Sequence, residues 1–162
     1  MAYIPIRLLR PSKVPDVKGP AIVFPLIGRD QGTMLVTGGE MPHVCFLEGT
    51  YVGEGFEQAK AGRWEGLALE HIEIEVDQTA QFRPALIRQP LGSIIRTGSS
   101  LEVIISIKDG HGFDTAARIP IEGTAAEERE LEVGFTKWRA VINEAAERRV
   151  IFTYTSEKTA DM

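Results

Sequence analysis

The sequence predicts a mainly β, α+β fold: a mostly antiparallel sheet or barrel-like domain that carries one long C-terminal amphipathic helix followed by a last strand. Three observations predict it. Short runs with period-two alternation recur through residues 21–121. Gly- and Pro-rich breaks separate them, and after Thr124 the apolar spacing changes to a helical one.

The clearest element lies in residues 101–121. Leu101, Val103, Ile105 and Ile107 alternate with Glu102, Ser106 and Lys108, as in a strand with one buried face. Ile104 falls on the polar side, so the second face is expected to be partly covered. A break over Asp109, Gly110, His111 and Gly112 precedes a second alternating run, Phe113, Thr115, Ala117, Ile119 and Ile121. Parity selects the register. A loop of Gly110, His111 and Gly112 pairs Ile107 with Thr115, Ile105 with Ala117 and Val103 with Ile119, setting Lys108 opposite Asp114.

The other elements can be taken in chain order. The 162 residues suit one domain with a single core. Residues 1–20 carry Pro5, Pro11, Pro15 and Pro20 and read as an extended arm with an edge strand over residues 4–9. The body spans residues 21–155, and residues 156–162 form a frayed tail. Strands are expected at residues 21–27, 33–37, 43–52, 67–76, 82–88 and 93–96, with Pro25 tolerated only at an edge or bulge. The apolar phase at Leu67 and Leu69 opposes that at Ile72, which predicts a bulge near Glu70. Residues 56–61 suit one helical turn.

The helix is placed at residues 125–149. Thr124 and Glu127 form a capping-box pattern, and Leu131, Phe135, Trp138, Ile142 and Ala145 recur at helical spacing. Gly134 costs such a helix about 1 kcal/mol relative to alanine, so a break is expected there, with residues 129–135 as an alternative strand and residues 136–149 as the firmer helix. Residues 150–155 return to strand.

The chain is 43% hydrophobic and 25% charged, with a net charge of -5. That balance argues against a general nucleic-acid binder, which needs a basic surface to displace counterions. No run is apolar and long enough to span a bilayer, and Pro5 and Arg7 interrupt the N-terminal apolar residues. With one cysteine, Cys45, and hence no internal disulfide, the expected location is the cytoplasm.

The candidate chemistry is sparse. On a strand, His71, Glu73, Glu75 and Asp77 project from one face, successive members about 7 Å apart. Crowded carboxylates attract a hard cation or raise one another's pKa toward acid–base work. The same pattern also describes a solvated face that blocks edge-to-edge association. His43 and Cys45, two positions apart, are the candidate metal ligands. His111, between two glycines, is a catalytic candidate only if its loop overhangs a pocket.

Gly53, Gly55 and Gly62 match neither the dinucleotide fingerprint nor the P-loop, so no cofactor is expected. Gly62, Arg63 and Trp64 form a Gly-x-Trp triplet that resembles the one in lipocalins. A long β-rich segment precedes it here, three residues identify no family, and Trp64 reads as the anchor of a sheet end.

The function expected from these residues is a small cytoplasmic ligand-binding or assembly module without evident catalytic machinery. A homo-oligomer formed through the N-terminal arm and a small apolar ligand are the expected partners. The alternative is a small-molecule hydrolase, isomerase or lyase using a His/carboxylate pair in a pocket between helix and sheet.

Overall fold

A computed structural model describes residues 3–26, 32–84, 89–98, 100–108, 114–123, 131–144 and 147–157. The strands are β1 (Arg10–Lys13), β2 (Ala21–Pro25), β3 (Met34–Val36), β4 (Gly38–Gly39), β5 (His43–Phe46), β6 (Gly55–Glu57), β7 (Glu65–Glu70) and β8 (Glu73–Val76). They continue with β9 (Gln81–Phe82), β10 (Ile94–Thr97), β11 (Ser100–Lys108), β12 (Asp114–Pro120), β13 (Glu122–Gly123), β14 (Glu132–Phe135), β15 (Lys137–Glu144) and β16 (Glu147–Thr155). Among the described residues, the helical elements are three short 3₁₀ turns, Ile6–Leu8, Val14–Asp16 and Gln58–Lys60. No helix there is long and apolar enough to cross a membrane.

The strands assemble into open sheets rather than a closed barrel. A six-stranded sheet has the order β1-β7-β2-β3-β5-β6, a five-stranded sheet β12-β11-β10-β14-β9, and a three-stranded sheet β16-β15-β8. The short β4 and β13 pair in parallel. Within the larger sheets the pairing is antiparallel.

The six-stranded sheet is apolar on both faces. Ile22, Leu35, Cys45 and Leu69 project from one side into a core shared with Ile94, Val103 and Ile105 of the five-stranded sheet and with Trp138 and Ile142 of the three-stranded one. The alternate residues Ala21, Val23, Met34, Val36, Val44 and Ala68 project the other way and pack with Val14, Val17 and Ala61. The N-terminal segment and the Gln58–Lys60 turn therefore lie over this second face. The buried Gln58 holds the cover down: its amide nitrogen donates to the carbonyls of Val14 at 2.8 Å and Val17 at 2.6 Å. Pro25 sits where β2 has already run past the end of β3, so its missing N–H interrupts no ladder on that side.

The Pro-rich segment forms its edge strand at Arg10–Lys13, paired with β7 of the same chain, while residues 6–8 make a 3₁₀ turn. Tyr3 and Ile6 remain 94% and 87% exposed, whereas Ile4, Leu8 and Leu9 pack against the core.

The β11–β12 ladder has the register that parity selects: Ile107 opposite Thr115, Ile105 opposite Ala117, Val103 opposite Ile119 and Lys108 opposite Asp114. The connecting residues 109–113, His111 included, lie outside the described residues. Ile104 is fully buried in a separate cluster with Leu91 and Ile95, so the second face of this sheet is covered too.

Two expectations are overturned. The C-terminal helix is absent from the described residues: β14 and β15 lie within its span, and β16 begins there and runs on to Thr155. Trp138 and Ile142 stand four apart, an even number, and share a strand face as readily as a helix face. Ala140 between them is fully buried on that same face. Phe135 belongs to a different sheet, because the chain passes from the five-stranded to the three-stranded sheet at Thr136. The corner is fixed by the Thr136 N–H donating to Ala80 and its carbonyl accepting from Ser156. Gly134 is required by packing: a Cβ there would lie 2.2 Å from the Phe82 ring. The capping-box residues Thr124 and Glu127 fall outside the described residues.

The second correction concerns Glu70. The phase reversal there is a change of sheet rather than a bulge: β7 belongs to the six-stranded sheet and β8 to the three-stranded one, with His71 at φ 61° between them.

The three-stranded sheet is tied to the rest by its aromatic pair. Trp138 and Tyr154 stand opposite each other on β15 and β16, with ring centroids 5.4 Å apart. The Trp138 indole donates to Gly92 O at 2.8 Å and the Tyr154 hydroxyl to Leu91 O at 2.7 Å.

Replacing Gln58 by alanine removes both donors from carbonyls in a buried setting. The expected loss is about 2–3 kcal/mol in a urea melt. A loss under about 0.5 kcal/mol would show that the cover does not depend on this clamp.

Candidate functional site

Of the acidic stripe, Glu73 and Glu75 lie on β8, the edge of the three-stranded sheet, and face arginines from β15 and β16, while Asp77 follows the strand. Glu75 accepts from Arg139 at 2.7 Å and from Arg148 at 2.5 Å. Glu73 accepts from Arg148 at 2.7 Å and from the Asn143 amide at 3.1 Å. The Arg139 and Arg148 hydrogen bonds hold the Glu75 carboxyl below its ordinary range. The Thr79 hydroxyl and N–H, at 2.6 and 2.9 Å, do the same for Asp77. These groups are stabilised as carboxylates, the opposite of what a proton donor near neutral pH needs. His71 is exposed at the crossover before β8.

His43 and Cys45 share β5 but have different surroundings. Cys45 is fully buried in the main core, and burial pushes its thiol up to about 12. His43 is 8% exposed, with Nδ1 2.7 Å from the Met41 carbonyl. A carbonyl only accepts, so Nδ1 is the donor in this contact. Among the described residues, no three His, Cys, Asp or Glu side chains gather as a metal site. The five described candidates do not converge: Glu75 lines an open depression of about 770 Å³ beside Lys137, Arg139 and Thr153, and His43 lines a different one.

That second depression, about 600 Å³, is built at the β5–β6 edge of the six-stranded sheet. Phe46 ends β5. The chain then turns back through Gly49 and Gly53, both at positive φ (88° and 86°), with Tyr51 carried at the turn. The return is pinned by Phe46 N–H to Glu54 O at 3.0 Å and Gly53 N–H to Phe46 O at 2.8 Å. Phe56 follows on β6, and the Gln58–Lys60 turn leads to Trp64, whose N–H donates to Ala61 O and whose carbonyl accepts from Val14. Trp64 does anchor a sheet end.

Four rings result, centred on Phe46. Tyr51 is 5.9 Å from it at 44°, Phe56 5.8 Å at 52°, and Trp64 5.4 Å at 76°. Phe46 is 4% exposed and Tyr51 47%, so the cluster grades from core to solvent. The Arg63 guanidinium lies 4.6 Å over the Trp64 ring. Glu54, Glu57, Lys60 and His43 complete one side, with Lys60 3.7 Å from Glu57 and His43 opposite Glu57 in the β5–β6 ladder. Ser106 and Ile107 of β11 form the other side. The two sheets meet there through Ser106 N–H donating to Gly53 O at 2.8 Å. Gly55 permits that approach: a Cβ would stand 2.5 Å from Val44 O and 2.8 Å from Ile105 Cδ1.

Sequence reasoning passed over this site. Its rings sit in stretches that read as ordinary core or loop, and Ser106 arrives from 50 residues away. The available signal was Tyr51, Phe56 and Trp64 falling in one glycine-rich segment. A second polar feature went unseen: Glu102, on the polar side of β11, is only 6% exposed, and burial raises its pKa.

The burial of Cys45 predicts that a thiol-reactive chromophore at pH 8 labels the native protein only as fast as it unfolds, and labels the denatured chain at once. Rapid stoichiometric labelling of the folded protein would show that the thiol is reachable.

Comparison with known proteins adds kinship. No solved structure matches the chain. A protein of Sinorhizobium fredii (strain NBRC 101917 / NGR234) described as "Uncharacterized protein y4lG" is 30% identical over 131 residues, covering 80% of each chain. The family model described as "Uncharacterised protein y4lG" matches residues 11–162, from β1 onward. The chain belongs to the y4lG family.

Proposed function

We propose that this protein is a ligand-binding module without catalytic groups of its own, and that the aromatic depression at the β5–β6 edge is its binding site. The observation that carries the reading is the ring cluster: Tyr51 and Trp64 remain at the surface over a buried Phe46, beside polar side chains of both signs. Exposing aromatic area is unfavourable for a protein that has no use for it, and concave sites pairing aromatic walls with a few polar groups are where small ligands bind. The polar groups on the three-stranded sheet support a structural role instead, since their carboxylates are already spent on Arg139 and Arg148.

A protein-observed NMR screen of a mixed fragment library, following the aromatic ring signals, tests this reading. Bound fragments are expected to perturb the Tyr51 and Trp64 ring signals and to lose affinity in Tyr51→Ala. Fragments that bind without touching those signals, or a library that yields none, would remove the site.

A further inference from the structure

Resting on that reading, we infer that the ligand is a saccharide, a neutral polyhydroxylated ring seated against Tyr51. Four features of the depression select this class. First, the charged side chains Glu54, Glu57, Lys60 and Arg63 sum to zero formal charge, so no field favours an anion such as a nucleotide phosphate or a free organic cation. Second, an apolar ligand would strip water from those four groups without replacing their hydrogen bonds, at a cost apolar contact does not recover. The apolar ligand expected from the sequence lacks groups to answer them.

Third, the rings tilt by 44° to 76° against Phe46, and one face of Trp64 is already covered by Arg63. Among the described residues, no pair of parallel rings is present there to sandwich a planar ligand. A puckered sugar needs one exposed ring for its C–H face, and Tyr51 is 47% exposed. Fourth, sugar hydroxyls both donate and accept. The depression offers both complements: carboxylates as acceptors, Lys60 and Arg63 as donors.

The test is titration calorimetry, with Trp64 fluorescence as a second readout, using cellohexaose, chitohexaose and maltohexaose as probes. At least one is expected to bind and to change the emission of Trp64, whereas Trp138 is buried in the core. Tyr51→Ala should weaken that binding about tenfold, the loss of one aromatic stacking contact. Glu57→Gln should weaken it as well, and neither change should lower the melting temperature appreciably. If none of the three oligosaccharides binds while aromatic fragments still perturb Tyr51 and Trp64, the saccharide inference is wrong and the binding site stands. If neither class binds, both fail. Saccharide binding that survives both substitutions would place the ligand elsewhere and overturn the inference too.

Discussion

The structure depends on one constraint: the six-stranded sheet is apolar on both faces, so both must be kept from water. Each fully buried aliphatic side chain is worth about 1.5–3 kcal/mol, and β2, β3 and β5 send such residues in both directions. One face is covered by the other two large sheets. The second is covered by the chain's own beginning, with Val14 and Val17 laid over Val23, Met34 and Val44. The prolines of this segment fix the extended and turning path that the cover follows.

The candidate site is where this covering stops. Phe56 and Trp64 pack against the second-face cluster without being sealed, and the buried Phe46 joins them to the half-exposed Tyr51. A sheet with an apolar face and an unfinished margin leaves aromatic surface beside polar turns, the composition on which the proposed binding site rests. The opposite treatment is seen on the three-stranded sheet, where Glu73, Glu75, Arg139 and Arg148 pair across strands. Exposed pairs of this kind contribute little to stability. Their carboxylates are hydrogen-bonded to the arginines across the outer side of the sheet.

What was legible in the sequence was local. The β11–β12 register followed from parity because hairpin partners are neighbours in sequence and a one-residue slip would turn every apolar side chain outward. The buried position of Ile104 followed from the same alternation. What was illegible was change of sheet. At His71 and Thr136 the chain leaves one sheet for another, which reverses the apolar phase and, at the second place, joins two strand patterns into a false helical one. The spacing from Trp138 to Ile142 suits either period, and only the burial of Ala140 between them decides it. The aromatic site was hidden for a related reason. Phe46, Tyr51, Phe56 and Trp64 each read as core or loop, and their grouping depends on a turn that brings the chain back against β11.

The measurement that tests the sealed sheet most directly is native-state amide hydrogen exchange, resolved by residue. The account predicts the slowest exchange at Ile22, Leu35, Val44 and Cys45, at rates set by global unfolding, with the edge strands β12 and β16 exchanging through smaller openings. Exchange at those four amides as fast as in β16 would contradict it. The second face would then be open to water, and the margin that carries the proposed binding site would not exist.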